Sequence, residues 1–192
     1  MYKIYYRYGT MYSGKSTDLI KSYLSDARCK RVIALKPSLD TRDNEITSRI
    51  INVSIPCVRF GPDEFVLDKI KDYFDEHNCL PDVIYIDEVQ FCSEQQIAEL
   101  HDLSFYAPII CYGLKTSFTG DLFPAIAQLY SFAEDVKEIK HTCWMCKKKA
   151  THNLLVRDGK PLYDGEIINI EGENPKDKYY AVCREHFLEP TF

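Results

Sequence analysis

The sequence predicts an α/β fold, in which a parallel sheet flanked by helices is followed by a small zinc-binding lobe. A glycine-rich loop lies between a strand-like run and a helical run near the N-terminus. Strand and helix patterns then alternate to about residue 132, which is typical of parallel sheets with right-handed crossovers. From about Lys140, basic and polar residues surround paired cysteines. We therefore expect a nucleotide-binding domain over residues 1–139 and a zinc-binding C-terminal lobe over residues 140–192.

The first feature in the chain is a phosphate-binding loop. It has the pattern G-x-x-x-x-G-K-S, follows the apolar run 4–8, and precedes a helical pattern over residues 16–27. This context directs backbone N–H groups and the positive end of a helix at one set of phosphate oxygens. Lys15 would reach the β- and γ-phosphates, and the Ser16 hydroxyl would ligate Mg²⁺. We assign nucleotide contacts to Gly9, Thr10, Met11, Tyr12, Ser13, Gly14, Lys15, Ser16 and Thr17.

Hydrophobic patterns define the remaining elements of the first domain. Pro62 suits the first position of a helix, and Ser93 with Gln96 forms a capping box at the start of another. Ligands of such folds bind at the carboxyl ends of the strands. The predicted elements are strands at residues 31–36, 82–87 and 108–112, and helices at residues 62–74, 93–103 and 123–132.

An acidic pair ends the predicted strand at residues 82–87. An Asp in this position assists Mg²⁺ in phosphate-binding-loop proteins, which is the role we assign to Asp87. Glu88 would then lie at the transfer centre and take a proton from an attacking hydroxyl or water. The alternative is a strand that ends in a charged, solvated turn. The position after a phosphate-binding loop favours the functional interpretation.

Two ligand pairs in the C-terminal lobe are spaced for a metal. Cys143-x-x-Cys146 and Cys183-x-x-His186 would each supply two corners of a tetrahedron, which is a closed and therefore structural zinc site. A redox-active cysteine pair is the alternative, and His141 or His152 are other candidates for the fourth ligand. In the same lobe we predict strands at residues 153–157 and 166–170, a turn at residues 158–159, and a flexible loop over residues 171–178.

Composition limits the possible partners and location. The net charge of −5 over 192 residues offers little to duplex DNA or to an anionic membrane. Positive charge for ATP must therefore be local, and Lys15 and Arg42 are candidates. The five cysteines outside the metal pairs are scattered singly, as reduced thiols are. Because the N-terminus does not resemble a signal peptide and no run is long enough to cross a membrane, we expect a cytoplasmic protein.

Together these motifs resemble the zinc-containing thymidine kinases of bacteria, animals and poxviruses. The resemblance covers nearly the whole chain and depends on motifs in one order. These are the phosphate-binding loop, Lys36-Pro-Ser-Leu-Asp-Thr-Arg42, Ser48-Arg49, Asp87-Glu-Val-Gln-Phe91, Tyr112-Gly-Leu-Lys-Thr-Ser-Phe118, the cysteine pairs and Lys178-Tyr179.

The resemblance implies a homotetrameric kinase that moves the γ-phosphate of ATP to the 5′-hydroxyl of thymidine, and also of deoxyuridine, in nucleotide salvage. It implies Mg²⁺ with ATP, structural Zn²⁺ and a lasso-like loop from the C-terminal lobe that encloses thymine. Glu88 resembles the catalytic base, and Arg42, Asp87 and Gln90 correspond to the phosphate side of the site. The residues that resemble the nucleoside pocket are Met11, Phe91, Leu114, Phe118 and Tyr179.

The chain departs from the family pattern at several positions. Thr10 replaces a usual Pro, Tyr12 replaces a usual Phe, and Asn153 lies where many relatives have a Thr. The loop at residues 172–178 is longer than the family's usual turn.

Two other classes of protein share some of these motifs. A nucleic-acid-dependent ATPase would need a stripe of basic side chains, which this sequence lacks. A zinc module that only senses nucleotide would not need Glu88 at the phosphate-transfer centre.

Overall fold

The computed structural model describes residues 1–38, 44–165 and 174–191. Within these ranges the chain forms eleven strands and five helices. The strands are β1 (Ile4–Tyr8), β2 (Val32–Pro37), β3 (Glu45–Ser48), β4 (Val53–Pro56), β5 (Val58–Phe60), β6 (Val83–Ile86), β7 (Ile109–Gly113), β8 (Asp135–Glu138), β9 (His152–Arg157), β10 (Lys160–Leu162) and β11 (Asp177–Val182). The helices are α1 (Lys15–Asp26), α2 (Val66–His77), α3 (Glu94–Leu103), α4 (Pro124–Phe132) and α5 (Arg184–Leu188).

Six parallel strands form the central sheet in the order β5-β2-β6-β7-β1-β8. All four residues of β6 are buried, as expected for a strand covered on both faces. Helices α2, α3 and α4 pack on one face through residues such as Ile70, Leu100 and Ile126. Helix α1 and the β3–β4 hairpin cover the other face through Leu19, Ile20 and Ile46 in particular. The predicted α/β class is therefore confirmed.

The predicted start of α3 agrees with the structure, and the predicted start of α2 does not. The capping box of α3 is present, since Ser93 Oγ accepts from the Gln96 N–H at 3.2 Å and Gln96 Oε1 accepts from the Ser93 N–H at 2.9 Å. The predicted start of α2 at Pro62 is wrong, because the helix begins at Val66. Glu99 from α3 explains the later start: its Oε2 accepts a hydrogen bond of 3.1 Å from the Leu67 N–H and caps the helix from outside.

The sequence did not predict β3, β4, β5, β8, β10 or β11. Strand β8 reads Asp-Val-Lys-Glu, lies at the edge of the sheet and pairs only with β1 among the described strands. Polar edge strands of this kind lack an apolar run because solvent covers much of their surface. Strands β3 and β4 pair only with each other in the described residues, and a four-residue strand carries little periodicity.

The C-terminal lobe contains an antiparallel sheet in the order β10-β9-β11. The predicted turn is present, with positive φ at both Asp158 and Gly159. The predicted strand at residues 166–170 lies outside the described residues. The predicted loop over residues 171–178 is wrong at its end, because β11 begins at Asp177. Arg157 of β9 holds this residue by hydrogen bonds of 2.6 and 2.7 Å to the two carboxylate oxygens. No helix in the described part of the chain is both long and apolar enough to cross a membrane.

Candidate active site

The loop between β1 and α1 has the backbone geometry that a phosphate group requires. Gly14 has a φ of 87°, in the left-handed region that glycine tolerates, and directly precedes α1. A Cβ on Gly9 would lie 2.3 Å from the Ser13 hydroxyl oxygen and 2.7 Å from the Ile139 carbonyl oxygen. Glycine at both positions therefore lets the chain turn tightly and direct N–H groups at an anion.

Lys15 supplies positive charge at this loop. Its side chain is buried, and Nζ donates a hydrogen bond of 3.0 Å to the carbonyl oxygen of Thr10. Burial lowers the pKa of Lys15, while the negative charges of Glu88 and Asp87 act in the opposite direction. A phosphate bound at the loop would meet a poorly hydrated ammonium group, and electrostatic attraction is stronger there than in water.

Asp87 follows β6 at the same edge of the sheet. Strands β6 and β1 both pair with β7, so their carboxyl ends are close together. The Asp87 carboxylate is buried, and its Oδ1 has no hydrogen-bond partner among the described residues. Burial and the negative charge of Glu88 raise the pKa of Asp87, and Lys36 and Lys15 oppose this rise. A buried carboxylate oxygen that lacks a donor suits a hard divalent cation such as Mg²⁺.

Glu88 lines the same cleft as Lys15. This cleft has a volume of about 650 Å³ and is bounded by the phosphate-binding loop, the ends of the central strands and the C-terminal lobe. The Glu88 backbone has a φ of 52°, which is uncommon for a residue other than glycine and is concentrated at functional sites. A phosphate-binding group and an acid are thus placed around one cavity.

An apolar cluster forms another wall of the cleft. Phe118 and Tyr179 pack with Leu155, and Met11 of the phosphate-binding loop contacts this cluster. Tyr179 belongs to β11 and Leu155 to β9, and Leu162 of β10 also packs here, so the C-terminal lobe supplies most of the cluster. These side chains exclude water from a space next to the phosphate-binding loop, which favours a planar, uncharged ring.

Two further apolar residues line the cleft from the central domain. The carbonyl oxygen of Leu114 accepts a hydrogen bond of 2.8 Å from the Tyr6 hydroxyl, which fixes the backbone after β7. Phe91 packs edge-on against Phe123, with ring centroids 6.0 Å apart. The positions of Leu114 and Phe91 are therefore set by the packed core rather than by a mobile loop.

Most of the predicted site residues line the large cleft. Gly9 and Thr10 instead line a smaller cavity of about 80 Å³ against the C-terminal lobe, and Ser13 packs against Gly9. Arg42 lies outside the described residues. The predicted residues that line the large cleft are Met11, Tyr12, Gly14, Lys15, Ser16, Thr17, Asp87, Glu88, Gln90, Phe91, Leu114, Phe118 and Tyr179.

Sequence reasoning missed several polar residues of the cleft. Lys36 ends an apolar run and lies at the carboxyl end of β2, where ligands of such sheets bind. Its position in the sequence could therefore have predicted that it lines the cleft. Arg59 and Thr47 also line the cleft, but they belong to β5 and β3, which have no clear pattern in the sequence. Lys36 and Arg59 add positive charge beside that of Lys15.

The four predicted metal ligands are brought together. The donor atoms of Cys143, Cys146, Cys183 and His186 all lie within 4.8 Å of one another. Three of these separations are 3.7 Å from Cys143 Sγ to His186 Nδ1, 3.9 Å from Cys146 Sγ to Cys183 Sγ, and 3.2 Å from Cys183 Sγ to His186 Nδ1. Zinc–sulfur bonds of about 2.3 Å in a tetrahedron give donor separations of roughly 3.8 Å. This cluster could therefore hold a zinc ion.

The chemistry of Cys143 and the position of His152 are also compatible with this metal site. Burial would raise the pKa of the Cys143 thiol, but backbone hydrogen bonds from Cys183 and Met145 outweigh it and place the pKa below its ordinary value. A thiolate is the form that binds zinc. His152 stacks on Phe187 at 4.6 Å and does not belong to the cluster.

Comparisons with known proteins agree with this arrangement. A family model described as Thymidine kinase matches residues 2–187. A thymidine kinase of Lactiplantibacillus plantarum is 33% identical over 195 residues, covering 99% of this chain and 97% of that protein. One from Streptococcus pyogenes is 34% identical, covering 99% of both chains. The solved Legionella pneumophila ATPase DotB aligns with a TM-score of 0.40 and 15% identity over 77% of this chain and 43% of its own. The chain belongs to the thymidine kinase family.

Proposed function

We propose that this protein transfers the γ-phosphate of ATP to the 5′-hydroxyl of thymidine in nucleotide salvage. The observation that carries the proposal is the single cleft that joins Lys15, Asp87 and Glu88 to the apolar cluster around Phe118. One end suits a triphosphate and the other suits a planar base. Family membership supports the identity of both substrates.

The phosphate side of the cleft positions the donor. N–H groups at the start of α1 and the Lys15 ammonium would hold the β- and γ-phosphates. Ser16 and the unpartnered Oδ1 of Asp87 would hold Mg²⁺, which when bound offsets negative charge on the phosphates. Phosphoryl transfer depends mainly on this positioning and on charge stabilisation. We retain Arg42 as a proposed phosphate contact, on the resemblance alone.

Glu88 is proposed as the general base. Its carboxylate would accept the proton of the 5′-hydroxyl as that oxygen bonds to the γ-phosphorus and ADP leaves. Lys15 lies in the same cleft and would stabilise charge on the transferring group. The left-handed backbone at Glu88 supports this role, since strain of this kind persists where the surrounding structure enforces it.

The nucleoside would lie against the apolar end of the cleft. Met11, Phe91, Leu114, Phe118 and Tyr179 line it, and the C-terminal lobe contributes Tyr179. Zinc in the Cys143 cluster would hold this lobe together, because the lobe has only a small core of its own. We also propose a cytoplasmic location, which the five reduced cysteines outside the metal cluster support, and we propose a homotetramer on the resemblance alone.

A panel of nucleosides with ATP and Mg²⁺ tests the proposed function. We expect phosphorylation of thymidine, weaker or equal phosphorylation of deoxyuridine, and no product with purine nucleosides. Detection of the product as a 5′-monophosphate is essential. ATP hydrolysis that rises with added nucleic acid and no phosphorylated nucleoside would contradict the proposal and favour a nucleic-acid-dependent ATPase.

A further inference from the structure

The Gln90 side chain lies between the proposed base and the end of the neighbouring strand. Its Nε2 is 2.6 Å from Glu88 Oε2, and its Oε1 accepts a hydrogen bond of 2.9 Å from the backbone N–H of Leu114. The side chain is 3% exposed, so both bonds are shielded from water. Gln90 thus connects the ends of β6 and β7 across the floor of the cleft.

Hydrogen-bond chemistry determines which way this amide faces. The Leu114 N–H can only donate, so it requires the amide oxygen of Gln90. The amide nitrogen is then directed at the Glu88 carboxylate, which accepts a charge-assisted hydrogen bond. The orientation is therefore imposed by the partners. A glutamate at this position would retain the bond to Leu114 but would offer Glu88 a second carboxylate.

The chain leaves room for this amide beside Gly113. A Cβ at Gly113 would lie 2.5 Å from Gln90 Oε1 and 3.0 Å from Val89 Cγ1. Contacts this short do not occur, so any larger residue would displace the Gln90 side chain or the backbone that carries it. Gly113 has no positive φ in the structure, so its role here is to provide space.

We propose that Gln90 is a positioning residue for Glu88 and that Gly113 is required for this role. The proposal rests on the proposed function of Glu88 as the general base. The bond to Oε2 holds one carboxylate oxygen against the floor of the cleft and leaves the other, Oε1, for the substrate hydroxyl. A base held in one orientation reacts faster than one that samples several orientations. Gln90 would therefore act on turnover through Glu88.

Kinetics of Gln90→Met and Gln90→Glu test the proposal. We expect each to lower kcat by about 10-fold to 100-fold, as for loss of a hydrogen bond to a charged group, with the KM values for ATP and thymidine within about threefold. Gln90→Glu separates positioning of Glu88 from support of Leu114, because it retains the second contact. Gly113→Ala should lower kcat in the same range although the amide is still present. Gln95→Met, the same change at an exposed position outside the cleft, should have no effect.

A double-mutant cycle with Glu88→Gln provides the decisive readout. If Gln90 acts through Glu88, Gln90→Met should change kcat by less than about twofold in the Glu88→Gln background. An equal loss in both backgrounds, or full kcat in Gln90→Glu, would overturn the positioning role while leaving the base assignment intact. Full kcat in Glu88→Gln alone would overturn the base, and the positioning role with it. If Gln90→Met does not fold, Gly113→Ala takes its place in the cycle.

Discussion

The Oδ1 atom of Asn153 accepts a hydrogen bond of 2.8 Å from the backbone N–H of Met11. Asn153 lies in β9 of the C-terminal lobe, and Met11 lies in the phosphate-binding loop. Asn153 Nδ2 also donates to the carbonyl oxygen of Thr116 at 3.2 Å, and the side chain is 3% exposed. One buried amide therefore joins the C-terminal lobe to two segments of the central domain that line the cleft.

Replacement of Asn153 should weaken this junction. Asn153→Ala would leave the Met11 N–H and the Thr116 carbonyl without partners, and a buried unsatisfied group costs about 1–3 kcal/mol. We expect a lower free energy of unfolding and a higher KM for thymidine, measured by denaturant unfolding and steady-state kinetics. Asn153→Asp retains the acceptor for Met11 but places a buried carboxylate oxygen against the Thr116 carbonyl, so it should not restore the parent stability. Equal stability of Asn153→Ala and the parent would show that the junction contributes little.

Glu88→Gln should separate chemistry from binding. The substitution keeps the size of the side chain, so folding and ATP affinity should be preserved. Loss of a general base lowers turnover by about 10²-fold to 10⁴-fold. Assays that follow the formation of thymidine monophosphate over time give the turnover, and thermal unfolding of the same sample gives the stability. A Glu88→Gln variant with the turnover of the parent enzyme would show that Glu88 is not the general base.

Lys15→Met should lose affinity for ATP. The ammonium is buried next to the phosphate-binding loop, where its charge would attract the phosphates with little screening by water. We therefore expect ATP binding to be weakened by about 10-fold to 100-fold. Lys21→Met, on the exposed part of α1, is the matched control. Calorimetric titration of both variants with ATP measures the effect, and unchanged ATP affinity in Lys15→Met would refute it.

Gly9→Ala should distort the phosphate-binding loop. The added Cβ would meet the Ser13 hydroxyl and the Ile139 carbonyl oxygen, and the latter is backbone that cannot easily move. Overpacking of this kind costs about 1–3 kcal/mol. Gly61→Ala is a suitable control, since the nearest atom to its Cβ would be Glu64 Oε2 at 3.4 Å. Thermal unfolding compares the two variants directly. Similar melting temperatures would show that the loop accommodates the added methyl group without strain.

Zinc removal should affect the nucleoside end of the cleft before the phosphate end. Tyr179 and Leu155 belong to the C-terminal lobe, whereas Lys15 belongs to the central domain. Titration with a chelator should therefore release thymidine before ATP, and metal analysis should give close to one zinc per chain. His186→Ala should lose the metal, and His141→Ala should keep it. Simultaneous loss of both ligands would mean that the two domains unfold as one unit.

The sequence predicted the parts of the fold that depend on buried periodicity. Strand β6 is apolar throughout, and the capping box at Ser93 is a local signal, so both were found. The start of α2 was missed because Glu99, distant in sequence, provides its cap. Strand β11 was not predicted, because its first residue, Asp177, lies in a loop-like stretch of sequence and is held by an ion pair with Arg157. Long-range contacts of this kind leave no trace in a local pattern.

The candidate site was predictable where a motif has a fixed spacing. Motif spacing indicates Lys15, the acidic pair and the four metal ligands, and the structure places the first three side chains around one cleft and the four ligands within 4.8 Å of one another. The bonds that Asn153 and Gln90 make could not be predicted, because each amide connects segments far apart in sequence. Three of their four partners are backbone groups, which any residue type can supply, and the fourth is the Glu88 side chain.

A crystal structure with a bisubstrate analogue, in which adenosine and thymidine are joined by a chain of phosphates, would test most directly whether both substrates share this cleft. We predict that the phosphates lie on the N–H groups before α1 beside Lys15, that the 5′-oxygen of the thymidine lies within hydrogen-bond distance of Glu88, and that thymine contacts Phe118 and Tyr179. A thymidine bound outside this cleft, or a 5′-oxygen remote from Glu88 while the phosphates occupy the loop, would contradict the account.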